Sequence, residues 1–258
     1  MLTTLPLFSG SSGNSYLLKS EKTSFLIDAG VSCKSLSSAL CEYDTGFDSI
    51  SCILVTHEHI DHIQGLETIS KRYHIPVYVN PASASAIYAS GRYPSLCECI
   101  NELSPGETFY LNDCEIVPFR TPHDSRGSTG FRINTGDDSF SLATDMGYIT
   151  RECARNVFGS RTVVIESNHD KEMLCSGVYP EYLKARILSD KGHLSNDSCA
   201  AFLPHLVQNG TKRIILAHLS KDNNTQALAL EAAERALREI HLLPSVSLEV
   251  APRSILAK

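Results

Sequence analysis

Apolar residues fall in short runs of two spacings along this chain. Residues 2–8 alternate loosely and read as a strand, closed by the small-residue turn Ser9-Gly10-Ser11-Ser12-Gly13-Asn14. Residues 16–18 and 25–27 read as short strands around the charged turn Ser20-Glu21-Lys22, a hairpin beginning. Asp28-Ala29-Gly30 ends the third strand, and Ser32 reads as the N-cap of a helix carrying Leu36, Leu40 and Tyr43. Residues 50–55 form an apolar run that suits a strand covered on both faces. From about Asp61 the spacing predicts one helix with Ile63, Leu66, Ile69 and Tyr73 on a single face, ended by Pro76. Residues 77–79 then read as a strand, 82–90 as an alanine- and serine-rich helix, and 92–105 as irregular.

The second half continues with strands at 108–111, 115–119, 130–134 and 140–143. A helix near 150–158 leads to an apolar strand at 162–165, and Pro180 opens a helix ending near Ser189. Ser195 caps a helix in which Cys199, Phe202, Leu203, Leu206 and Val207 follow helical spacing, and Gly210 stops it. Residues 214–217 read as a strand ending at His218, followed by a helix with Leu230, Ala233, Leu237 and Ile240 on one stripe and a last strand at 247–250. No linker, low-complexity tract or short repeat interrupts the pattern, so residues 1–258 are expected to form a single domain. Apolar strands alternating with helices predict an α/β chain of two packed sheets between helical layers.

Charge and cysteine content narrow the classes. The 23 basic and 29 acidic residues give a net charge of -6, which argues against a broad basic face while leaving room for a local positive site. The first eight residues lack a basic segment and contain Pro6, unlike a secretion signal, and no apolar run approaches the roughly 20 residues of a membrane span. Nine scattered cysteines fit reduced thiols in a cytoplasmic protein. Cys97-Glu98-Cys99 is the only close pair, and its spacing is not that of a zinc knuckle.

The densest chemistry is Thr56-His57-Glu58-His59-Ile60-Asp61-His62, placed just after a buried strand. Four candidate ligands in this order are hard to explain as packing, since each would need its own buried partner. His57 and His59 share a side as the strand runs out, while Asp61 and His62 start the next helix and face a second point. Asp61 also suits a helix N-cap. His123, Asp145 and His218 each stand at a strand end, where loops gather into sites. One metal could then rest on His57, His59 and His123, and a second on Asp61, His62 and His218, with Asp145 bridging. Imidazole and carboxylate without thiolate suit zinc, manganese or iron. Of the other histidines, His74, His205 and His241 read as surface or packing residues. His193 lies in a glycine-containing loop before a helix N-terminus, placed to donate a proton beside an anion. His169 reads either as support for a ligand or as part of a helix cap.

These seven positions resemble the signature of the metallo-β-lactamase superfamily, His-x-His-x-Asp-His followed by a lone His, a lone Asp and a last His. The resemblance implies a four-layer αββα sandwich, with Asp28 matching a first-strand aspartate that supports a ligand. The stretches at 9–15, 189–196 and 216–220 further resemble the bacterial YycJ/WalJ family. That likeness implies a DNA exonuclease acting from the 5′ end, with DNA preferred over RNA and two divalent ions as cofactors. Asp61 and His193 would be catalytic, His193 matching a histidine that acts near the leaving group in related tRNA-processing phosphodiesterases. Ser12, Asn14, Lys191 and Ser195 would contact phosphate or substrate, and His169 stays open between support of the centre and a helix cap. Two ions, two aspartates and a bridging hydroxide would leave the centre about one charge positive, suited to a phosphodiester. Lys184, Arg186, Lys191, Lys212, Arg213 and Lys221 are the candidates for gripping DNA. The alternative is a hydrolase for a cyclic nucleotide, thioester or lactam. A di-iron redox role is disfavoured, because relatives of that type carry Glu where this chain has His59 and are followed by a flavin domain. Oligomeric state stays open.

Overall fold

The unbroken apolar runs are strands packed on both faces. The computed structural model describes residues 1–256, leaving Ala257 and Lys258 of the expected domain outside the described residues. The first sheet holds β1 (Thr3–Phe8), β2 (Ser15–Lys19), β3 (Ser24–Ile27), β4 (Ile50–Val55), β5 (Val77–Val79) and β6 (Ile100–Glu102), in that spatial order. The second holds β7 (Phe109–Leu111), β8 (Cys114–Arg120), β9 (Thr129–Thr135), β10 (Asp138–Ala143), β11 (Thr162–Glu166), β12 (Arg213–Ala217) and β13 (Ser247–Val250), also in sequence order across the sheet. Each sheet is antiparallel in its first half and parallel in its second, with β3 and β4 parallel in one and β10, β11 and β12 parallel in the other.

The helices lie outside the two sheets. They are α1 (Cys33–Cys41), α2 (Ile60–Ile63), α3 (Leu66–Tyr73), α4 (Pro81–Ser90), α5 (Pro94–Cys97), α6 (Arg151–Val157), α7 (Lys171–Ser176), α8 (Glu181–Ile187), α9 (Asn196–Gln208) and α10 (Gln226–Glu239). Strand alternation explains the layering. In β4, Cys52 and Leu54 meet Phe131, Phe140 and Ile215 between the sheets, while Ile53 and Val55 face Leu36, Leu40, Leu66 and Ile69 on the outer helices. In β12, Ile215 and Ala217 face inward, and Ile214 and Leu216 pack on Leu203, Leu206 and Leu237. Each fully covered Leu, Ile or Phe contributes about 1.5–3 kcal/mol. This is the expected αββα sandwich.

Several local expectations change. The helix expected from Asp61 is two, α2 and α3, broken at Gly65. A Cβ at Gly65 would stand 2.4 Å from the Val31 carbonyl oxygen, so the break is set by a close approach of the chain. Its N-cap is His59, and Asp61 falls in the first turn. Residues 92–105 are not wholly irregular. Pro94 starts α5, and β6 adds to the sheet edge beside β5. A three-residue edge strand is too short to show a period of two. The short α7 also went unexpected; the Asp170 side chain caps it by accepting from the Met173 N–H. Among the described residues no helix is long and apolar enough to cross a membrane, and all nine cysteines are free thiols.

Candidate metal centre

Six strand ends meet on one edge of the sandwich. Asp28 follows β3, His57 follows β4, His123 follows β8, Asp145 follows β10, Glu166 closes β11 and His218 follows β12. Asp28, Asp145 and His218 all have left-handed backbone, with φ of 62°, 56° and 56°. Asp and His tolerate this region better than most residues, at a cost of order 1–3 kcal/mol each. The surroundings hold them there: the His218 N–H donates to Ser9 Oγ at 2.8 Å, and the Asp28 N–H to the Leu54 carbonyl at 2.8 Å.

Two groups of donors converge. His57 Nε2 is 3.0 Å from His59 Nδ1, and the His123 ring centroid is 5.0 and 5.2 Å from theirs. The convergence comes from the loop after β4, which ends at Val55, not from strand alternation. Asp61 Oδ2 lies 3.5 Å from His62 Nε2 and 3.7 Å from His218 Nε2. Asp145 stands between the groups, with Oδ2 3.6 Å from His62 Nε2 and Oδ1 3.8 Å from His123 Nε2. Within each of the sets His57/His59/His123, Asp61/His62/His218 and His57/His62/Asp145, the donor atoms lie within 4.8 Å of one another.

Two of these atoms, Asp145 Oδ2 and His218 Nε2, are buried and have no hydrogen-bond partner among the described residues. Buried polar atoms are rarely left so. A nitrogen and oxygen donor set aimed at two adjacent points fits two divalent cations. The charges agree. Burial alone would raise the Asp61 carboxyl, but His62 and His218 hold it far below the usual range. Burial would lower His218, yet Asp145, Asp61 and Glu166 push it up to about 10. His57 is held low by burial and by the neighbouring imidazoles.

A second ring of contacts orients the donors. Asp28 Oδ2 lies 2.7 Å from His62 Nδ1 and accepts from Thr56 Oγ1, while its Oδ1 accepts from the Thr56 N–H at 2.8 Å. His62 is thus turned to present Nε2 to the centre. Glu166 does the same on the other side. Its Oε1 lies 2.8 Å from both His193 Nδ1 and His218 Nδ1, and its Oε2 accepts from the N–H groups of Met146 and Leu194. Glu166 was not singled out in the sequence. Its one signal is a carboxylate closing the apolar strand 162–165.

The chain matches the family described as the beta-lactamase superfamily domain over residues 23–219. It belongs to the metallo-β-lactamase superfamily. Exodeoxyribonuclease WalJ of Streptococcus pneumoniae serotype 2 (strain D39) is 41% identical over 226 residues, 86% of this chain and 83% of that protein. Exodeoxyribonuclease YycJ of Bacillus anthracis is 36% identical over 234 residues, 90% of this chain and 88% of that protein. The metallo-beta-lactamase fold protein YhfI from Bacillus subtilis shares the fold, with a TM-score of 0.74 and 14% identity over 98% of both chains. The protein is accordingly a metal-dependent hydrolase of the metallo-β-lactamase fold, homologous to exodeoxyribonucleases.

Around this superfamily core, the remaining candidate residues divide. Asn14 is buried, with its N–H on the Asp61 carbonyl at 2.8 Å and its side-chain nitrogen 3.2 Å from His62 Nε2. Ser12, in the same turn, is exposed, as is Lys191. Ser195 is buried, and its hydroxyl accepts from the Ser198 N–H as the N-cap of α9. His193 is fixed by its N–H on the Ile187 carbonyl, and Gly192 before it admits no side chain, since a Cβ would stand 2.1 Å from that oxygen. His169 is buried with neither ring nitrogen bonded among the described residues, so the hydrogen-bonded support on that side is Glu166. His74, His205 and His241 are exposed.

The basic candidates separate by position. Lys212 and Arg213 lie at the far end of β12 from His218, and the Arg213 guanidinium is taken by Glu249 and the Thr4 carbonyl. Lys184 is tied to the Cys175 carbonyl and Glu181. Arg186 pairs with Asp124, next to His123. Lys221 is exposed, beyond His218.

Proposed function

We propose that this protein is an exonuclease that hydrolyses phosphodiester bonds of DNA from the 5′ end. The carrying observation is the joint placement of the two donor groups and His193, which Glu166 holds at 2.8 Å beside His218. The family relatives named exodeoxyribonuclease support DNA as the polymer. His57, His59 and His123 would hold one ion and Asp61, His62 and His218 the other, with Asp145 between them. Two divalent ions, zinc or manganese, would lower the pKa of water there and offset charge developing on phosphate. Free thiols fit a cytoplasmic location.

The chain's own groups take the remaining tasks. Glu166 accepts from His193 Nδ1, so Nε2 of that ring is the nitrogen free to act. As a water oxygen bonds to phosphorus and gives up a proton to solvent, the bond to the 3′-oxygen breaks and the protonated ring gives its Nε2 proton to that leaving oxygen. The Asp28 carboxylate keeps the His62 ring from turning, and Asn14 fixes the Asp61 backbone. Ser12 and Lys191, both exposed, are the candidate phosphate contacts, while the buried Asn14 and Ser195 act through the Asp61 backbone and the cap of α9.

A substrate panel tests the reading, with manganese and zinc added separately. It comprises 5′-phosphorylated single- and double-stranded DNA, RNA, bis(p-nitrophenyl) phosphate, nitrocefin and an acyl-glutathione. Release of 5′-labelled mononucleotide from DNA is expected. Thioester or lactam hydrolysis without any phosphodiesterase activity would end the reading.

A further inference from the structure

An exonuclease must hold the rest of the strand while its end lies at the centre. Beside His123 opens a groove of about 480 Å³, bounded by Asn80, Ser125, Arg120 and Arg126. Beyond it a second hollow of about 670 Å³ shares Ala82 and Arg126 and runs along α4. The two hollows are neighbours, and we read them as one channel, with a metal-donor histidine in the lining of the first.

The channel's chemistry is one-sided. In a chain of net charge -6, neither hollow has an acidic residue in its lining among the described residues, and Arg120 and Arg126 are its charged groups. Among the described residues neither guanidinium has an ion-pair partner. The nearby carboxylates are already engaged. Glu58 accepts from Ser83 Oγ at 2.6 Å and from the Arg126 N–H at 2.7 Å, and Asp124 pairs with Arg186. Through Glu58 the channel wall is bonded to the loop that carries His57 and His59. The Ser125 hydroxyl, also in the lining, is buried and without a partner among the described residues.

The shape fits a polymer better than a small anion. α4 has ten residues, about 15 Å. Its channel face presents Ala82, Ser85, Ala86 and Ala89, which let a backbone approach closely. Among the described residues no Phe, Tyr or Trp lines either hollow, so contact falls mainly on phosphates.

We propose that this channel binds the sugar-phosphate backbone of the strand continuing from the scissile bond, with Arg126 and Arg120 each facing a phosphate. The proposal rests on the exonuclease reading for its substrate, and binding can be measured apart from turnover. Oligothymidylate of about ten nucleotides, labelled with fluorescein, is titrated in EDTA by anisotropy. R126E and R120E are each expected to weaken binding about tenfold, and R126A to make the salt dependence shallower by about 0.7 in log–log slope. With metal restored, kcat/KM for the oligonucleotide should fall in step while bis(p-nitrophenyl) phosphate, too short to enter the channel, is hydrolysed as before. Equal binding by wild type and the R120E/R126E protein, or no binding by wild type, overturns the channel. Binding that is lost in the variants while wild type cleaves no nucleic acid upholds the channel and removes the exonuclease reading.

Discussion

Glu166 Oε1 and His193 Nδ1 lie 2.8 Å apart, and this contact decides which face of the imidazole is free. The same oxygen receives His218, and the other oxygen takes two backbone N–H groups. Glutamine cannot replace such an acceptor. Either orientation of its amide sets an NH₂ against donors, in a fully buried position. E166Q is therefore expected to lower kcat or metal affinity by about 10- to 100-fold. Steady-state kinetics with metal analysis will read this, and a kcat and metal content equal to wild type would remove the assigned role.

His193 itself is expected to behave differently from the seven donors. H193A should keep two equivalents of metal and lose about 10²- to 10⁴-fold in turnover. Full activity would rule out proton donation. Loss of metal would make the ring a ligand instead.

The difference between what the chain alone revealed and what needed the fold follows from where each signal lies. Residues 57–62 were legible because four ligand-type side chains within six positions have no packing explanation. His123, Asp145 and His218 were legible because each ends an apolar strand. Glu166 ends one too, but a single carboxylate after 162–165 reads as any polar strand terminus. Its meaning depends on β10, β11 and β12 being neighbours, which is a fact of sheet order. Arg213 misled for the opposite reason. Five positions from His218 in the chain become about 16 Å along an extended strand. The break at Gly65 was hidden because helical spacing continues through it, and only the approach of Val31 forbids a side chain there.

Asp28 offers a test of support without direct ligation. Its carboxylate is buried and accepts from the Thr56 N–H and hydroxyl while holding His62 Nδ1. D28N keeps the shape and loses an acceptor. Metal affinity should fall about 10- to 100-fold, measured by competition with a chromophoric chelator. Unchanged affinity would show that His62 needs no such anchor.

His169 predicts an acid-side weakness. Burial brings its ring down from 6.5 to about 4. Between those values the unfolded chain takes up a proton that the folded chain refuses. Stability therefore falls as the pH drops through this window and is unaffected above it, by at most about 1.4 kcal/mol per pH unit. Urea midpoints measured at neutral pH and near the lower end should converge in H169L relative to wild type. Identical pH dependence in the two proteins would acquit this ring.

The donor groups are divided between the sheets. His57, His59, Asp61 and His62 follow strands of the first, while His123, Asp145 and His218 follow strands of the second. The centre is therefore a rivet across a seam. Each sheet keeps its own hydrogen bonds if it slides over the other, but the ligand set does not survive the slide. Cations seated there would make inter-sheet registry part of their binding energy, so this protein's resistance to heat should climb with free metal concentration in the manner of a folding ligand.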